Sequence, residues 1–147
     1  ESKDRLVEPI EFTANMIDIW AYDVDNGDNR VFKVARIHEV EVLDAEWAFK
    51  SKHKAIKPDV FRMVGNLNEK IVLQLNTRAK SLLLEEFPLA EKDLKREDGK
   101  WFLKTTIHSL EGAGRFVIGL AADIKIIEGD KLRKYILDYQ KKHIVKL

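Results

Sequence analysis

A chain of 147 residues, 45% hydrophobic and 35% charged, has room for one medium domain or two small ones with a charge-rich surface. Its net charge of +1 lacks the basic excess of a dedicated nucleic-acid binder. The absence of cysteine excludes disulfides, thiolate catalysis and cysteine zinc sites, and fits a reducing, cytoplasmic compartment.

Residues 5–12 and 16–23 read as strands, rich in Val, Ile, Phe, Trp and Tyr, with Asn15 marking a turn between them. Pro9 cannot donate a ladder bond, so it argues for an edge or a bulge. Asp25-Asn26-Gly27-Asp28-Asn29 is a hairpin loop built on Gly27. Strand stretches 30–34 and 36–43 follow, with Ala35 as a bend. Short strands this closely spaced predict a small barrel or sandwich.

Residues 44–66 are less regular. Trp47, Phe49 and Phe61 sit among Lys50, Lys52, His53, Lys54 and Lys57, and Pro58-Asp59 can open a short helix. Aromatics among lysines can bind single-stranded nucleic acid. A solvated hinge anchored by those aromatics is the simpler reading.

The remainder alternates. A strand at 70–76 leads to a helix capped by Thr77, which Pro88 stops after Phe87. Leu94–Arg96 and Trp101–Ile107 flank the turn Glu97-Asp98-Gly99-Lys100. Ser109 caps a second helix that buries Phe116, Val117 and Leu120. Ile124–Ile127 is a strand. A last helix over 130–144 puts Leu132, Ile136, Tyr139 and His143 on one stripe. The order β-α-β-β-α-β with a trailing helix is the ferredoxin-like arrangement.

No apolar run approaches the roughly 20 residues that span a bilayer, and no secretory signal is visible. Residues 1–66 carry 10 Lys/Arg against 13 Asp/Glu, and residues 67–147 carry 16 against 12. The chain starts at Glu1 without an initiator Met, as expected of a piece of something longer.

Candidate chemistry is sparse. Gly112-Ala113-Gly114 with Gly119 matches neither phosphate-loop spacing, and close helix packing explains it better. His38, His53, His108 and His143 have no ligand spacing, so no metal site is expected. Ser81 and Ser109 lack an elbow motif, and the carboxylates form no pair that sequence can place in a cleft. No catalytic constellation and no cofactor are expected. The basic last helix (Lys131, Arg133, Lys134, Lys141, Lys142, with Lys146 beyond) reads as a solvated face whose lysines suit the helix end.

The strand after the first hairpin loop is the exception. Strand alternation puts Arg30, Phe32, Val34, Arg36, His38, Val40 and Val42 on one face. An unpaired guanidinium is costly to desolvate, so the arginines either reach a rim and clamp an anion or form internal salt bridges to an acid such as Glu8 or Asp23. Spacing alone leaves the two readings even.

These residues carry a family likeness. Arg30, Phe32, Arg36 and Ile37 in the pattern R-x-F-x-x-x-R-I, after an Asp/Gly turn and the strand Ile19-Trp20-Ala21-Tyr22-Asp23, resemble the WYL-domain regulators of bacteria. Arg5 with Glu8-Pro9 resembles that family's R-x-x-x-P opening strand, and residues 70–144 resemble its C-terminal extension. The W-Y-L triplet would fall near 17–19, where this chain reads Ile17-Asp18-Ile19.

The resemblance implies an α+β chain. An Sm-like or SH3-like β-barrel over 1–52 is followed by a hinge over 53–68 and a ferredoxin-like extension over 69–147. The barrel's first strand and a DNA-binding helix-turn-helix would lie before Glu1. It further implies the effector-sensing and dimerisation part of a cytoplasmic transcriptional regulator. A single-stranded nucleic acid or nucleotide-like anion would bind at Arg30, Arg36, Phe32, Tyr22 and His38. The other reading is a structural, dimerising module without a ligand.

Overall fold

β-branched and aromatic residues between polar turns form three strands in the N-terminal third of the computed structural model, which describes residues 2–13, 16–55 and 58–145. They are β1 (Val7–Phe12), β2 (Asp18–Asp23) and β3 (Asp28–Lys33), in one antiparallel sheet of order β1-β2-β3. The turn expected at Asn15 lies outside the described residues. Gly27, at φ +67°, closes the β2–β3 hairpin by donating its N–H to the Asp23 carbonyl at 2.8 Å. Pro9 marks a bulge, because the β1–β2 register slips between Pro9 and Glu11.

The strand expected over 36–43 does not form. β3 ends at Lys33, which pairs with Asp18, the first residue of β2. One further bond, from the Val34 N–H to the Ile17 carbonyl at 2.9 Å, uses up the partner strand. A strand without a neighbour leaves its backbone groups to water. The chain instead makes a 3-10 turn at Val34–Arg36 and then runs on without regular structure.

Residues 47–54 strap across the face of this sheet that carries Glu8, Trp20, Tyr22 and Asn29. Asn29 donates to the Lys52 carbonyl at 2.9 Å and accepts from the Lys54 N–H at 3.1 Å. Trp20 Nε1 donates to the Lys54 carbonyl at 2.7 Å. Phe49 and His53 pack on the Tyr22 ring, with centroids 5.4 and 6.0 Å away. His53 therefore belongs to the first of two units, Glu1–Ile56, and not to a solvated hinge.

The second unit, Lys57–Leu147, is a four-stranded antiparallel sheet with helices on one face. Its elements are β4 (Glu69–Leu75), α1 (Thr77–Glu86), β5 (Leu94–Glu97), β6 (Lys100–Ile107), α2 (Leu110–Gly119), β7 (Ile124–Glu128) and α3 (Asp130–Lys142), in sheet order β5-β6-β4-β7. Ile71, Leu73 and Leu75 of β4 alternate into a core shared with Leu103, Ile107, Leu83, Phe116 and Leu132. Val60 and Phe61, read as hinge, are buried there too.

The helix ends are capped by identifiable side chains. Asn76, not Thr77, caps α1, accepting from the Ala79 N–H at 2.9 Å. Ser109 caps α2 as expected. Gly112 and Gly114 of α2 serve close packing, since a Cβ would strike Met63 at the first and the Tyr135 ring of α3 at the second, whereas Gly119 faces open space.

α3 has no cap of its own, because its N-cap is Gly129 at φ +128°. Glu69 of β4 supplies it from a distance, accepting from the N–H groups of Lys131 at 3.0 Å and Leu132 at 3.4 Å. We expect Glu69→Ala to cost about 1–2 kcal/mol, since it removes both a cap and a negative charge at the helix start. Gly129→Ala should cost at least as much, because its Cβ would lie 2.9 Å from Ile71 in backbone that suits glycine. Urea melts of the two variants check this, and an unchanged midpoint for Glu69→Ala would refute the capping role.

Candidate functional site

The β2–β3 register decides which side chains share a face. Arg30 lies opposite Ala21, and Phe32 lies opposite Ile19. Phe12 of β1 also pairs with Ile19, so Phe12, Ile19 and Phe32 form an apolar row across all three strands. Two residues along β3, about 7 Å away, Arg30 adds a cation to the same face.

Arg30 meets Asp23 at this edge. Its Nη1 lies 3.6 Å from Asp23 Oδ2, and Arg5 Nη1 lies 2.9 Å from the same oxygen. Asn26 completes the shell through its side-chain amide at 2.5 Å and its N–H at 3.2 Å. The Asp23 side chain is 0% exposed, whereas those of Arg5 and Arg30 are 29% and 49% exposed. Burial pushes the Asp23 carboxyl up, but the Asn26 hydrogen bonds and the charges of Arg5 and Arg30 outweigh it. The group is held below its ordinary value.

Two guanidinium groups on one carboxylate leave an excess of one positive charge among the three. Arg30 keeps half its surface in water, on the same face as half-buried Phe32 and Ile19 and exposed Phe12. Such an arrangement can hold an anion that also has a flat apolar part, through guanidinium hydrogen bonds and ring stacking.

The other expected site residues lie elsewhere. Arg36 is exposed at the end of the 3-10 turn, and His38 is exposed in the irregular stretch after it. Neither continues the strand face of Arg30, because that strand has already ended. Tyr22 lies opposite Asn29, on the far face of the sheet, and is buried under Phe49 and His53. It cannot pack beneath Arg30, since adjacent strand positions point to opposite sides.

Glu8 organises that far face. It accepts from the Phe49 N–H at 3.0 Å and contacts His53 Nε2 at 2.5 Å. Desolvation raises the Glu8 carboxyl, and the hydrogen bonds from Phe49, His53 and Ala48 with the His53 charge outweigh it, so it too is lowered. Sequence reasoning took Arg5 only as the start of a motif. Its role as Asp23's main cationic partner follows from β1–β2 pairing, which puts Val7 opposite Asp23. Among the described residues no group of three or more His, Asp or Glu could hold a metal ion, and no helix is long and apolar enough to cross a membrane.

No family model matches the chain, and no curated protein does. Among solved structures it is similar to proteasome accessory factor B/C (PafBC) of Arthrobacter aurescens, at 17% identity and a TM-score of 0.39. That match covers 95% of this chain and 22% of the other, so the chain spans about a fifth of the protein it resembles.

Proposed function

We propose that the chain is the effector-sensing part of a bacterial transcriptional regulator of the WYL type, binding an anionic, nucleotide-like or single-stranded nucleic-acid ligand on its N-terminal unit. In this reading β1–β3 are the meander of an Sm-like barrel, and the second unit is a ferredoxin-like extension serving dimerisation. Its role is binding, not catalysis.

The observation that carries the reading is the half-exposed Arg30 beside the row Phe12, Ile19 and Phe32. The R-x-F-x-x-x-R-I pattern agrees with it. Phe32, half-buried, is the row's member nearest Arg30, and Phe12, 55% exposed, extends the apolar surface two strands away on the same face. One face thus offers both a cation and apolar surface to an aromatic anion. Arg36 supplies a peripheral phosphate contact, not a second strand-borne clamp. A ligand of this kind regulates only by binding one state of the whole protein better than another.

A second reading is favoured by Asp23. Because Arg30 and Arg5 both reach that buried carboxylate, the array also serves as a purely internal brace in a dimerising module. Titrating the chain with a short labelled single-stranded DNA separates the two. We expect Arg30→Ala to weaken binding about tenfold, the scale of one charge-assisted contact, and Arg36→Ala to act mainly on the salt dependence. Wild-type affinity in Arg30→Ala, with the fold intact by circular dichroism, would leave the brace as the explanation.

A further inference from the structure

The sheet of the second unit has helices on one face only. β4 turns Ile71, Leu73 and Leu75 to the helices, so Val72 and Gln74 point the other way. The register then defines a row on the uncovered side. Lys95 of β5 pairs with Phe102 of β6, Phe102 with Gln74 of β4, and Gln74 with Lys125 of β7. An aromatic ring and an amide thus lie between two lysines, over a width of about 14 Å at ordinary strand spacing.

Neighbouring rows add to the charge. Lys104 pairs with Val72, and its Nζ lies 5.9 Å from the Phe102 ring centroid. Lys70 and Lys100 stand at either end of the same face. The acids there are Glu97, which pairs with Lys104 at 2.6 Å, and Glu128. All five lysines are exposed, and Phe102 is half-buried. A cleft of about 440 Å³ lies at the strand ends, lined by Gln74, Lys100 and Lys125 of this face together with Trp101, Asp123 and Ile124.

We propose that this uncovered sheet face binds single-stranded nucleic acid, with a base stacked on Phe102, its edge against Gln74, and phosphates at Lys95, Lys104 and Lys125. The chemistry favours that occupant. An open sheet offering an aromatic centre between cations suits unstacked bases on a polyanionic backbone. A duplex keeps its bases stacked inside and cannot use Phe102. An acidic peptide would satisfy the lysines without using the ring. Trp101 is not the stacking platform: it lies on the other face, with Lys80 and Arg96 over its ring at 5.0 and 5.7 Å. The surface uses none of the residues of the arginine site, so either assignment can fail alone.

The test is titration of the whole chain with a fluorescent oligothymidylate of about twelve nucleotides, long enough for one site of this kind. Phe102→Leu keeps apolar bulk but removes the ring, and should weaken binding roughly tenfold. Lys95→Gln with Lys125→Gln should lower the slope of log affinity against log salt by about 1.4, the share of two single-strand phosphate contacts. Both losses should persist in an Arg30→Ala background, and an equal-length duplex should bind more weakly. Unchanged affinity in Phe102→Leu and unchanged slope in the double lysine variant would overturn the proposal. So would equal competition by poly-glutamate, which would mark an indiscriminate cationic surface.

Discussion

Asp59→Ala should destabilise the second unit by about 3–5 kcal/mol, the largest effect expected of a polar substitution among the described residues. Asp59 is buried, and its carboxylate accepts three backbone N–H groups. Oδ1 takes those of Phe61 at 2.9 Å and Met63 at 3.0 Å, and Oδ2 takes that of His108 at 2.9 Å. Alanine would leave three donors without a partner in a water-poor place. The carboxylate also ties the turn before β4 to the end of β6, so its loss loosens Val60 and Phe61 from the core.

Asn is not a substitute at this position. Its amide NH2 would face either the His108 N–H or the pair from Phe61 and Met63, donor against donor. Asp130→Ala is the contrasting control. Asp130 pairs with Arg133 at 2.8 Å but is 97% exposed, and should cost under about 0.5 kcal/mol. Thermal melts read the difference. In a unit this size a loss of 3 kcal/mol corresponds to a fall of roughly 12–24 °C. A midpoint within a few degrees of wild type for Asp59→Ala would refute the argument.

Asp23→Ala should cost the first unit about 2–4 kcal/mol, because it removes two charge-assisted contacts and both Asn26 bonds from a fully buried group. The pH dependence has a definite sign. Asp23 and Glu8 are both held below their ordinary values in the folded chain. On acidification the unfolded chain therefore takes up these protons first. Their stabilisation is complete above the unfolded carboxylate pKa near 4 and is lost as pH falls through the lower folded values. Wild type should lose stability in the first unit below about pH 4, and Asp23→Ala should lose less. A wild-type midpoint independent of pH in that range would contradict the assignment.

The same residue also tests function. Asp23→Asn keeps the shape but gives up the negative charge, leaving Arg5 and Arg30 uncompensated. If Arg30 is a ligand contact, anion affinity at low salt should rise several-fold even as stability falls. If the array is only a brace, affinity should not move.

Local patterns were enough to read a mixed α+β chain from the amino acids alone. Alternation in β4, the Ser109 cap, the Glu97–Lys100 turn and the stripe of Leu132 and Ile136 each follow from interactions a few residues apart. The Arg30–Asp23 pairing was legible as one of two alternatives, since a strand-borne guanidinium needs either water or an acid. What tertiary structure decided was everything that depends on a distant partner. Residues 36–43 have the composition of a strand, but strands exist by pairing, and β2 begins too late to pair with them. Asp59 and Glu69 look like ordinary acids in sequence, and become structural only where His108 or α3 brings N–H groups to them. Tyr22 is separated from Arg30 by the β2–β3 register, which puts it opposite Asn29, and residues 47–54, which cover its face, lie more than twenty positions away along the chain.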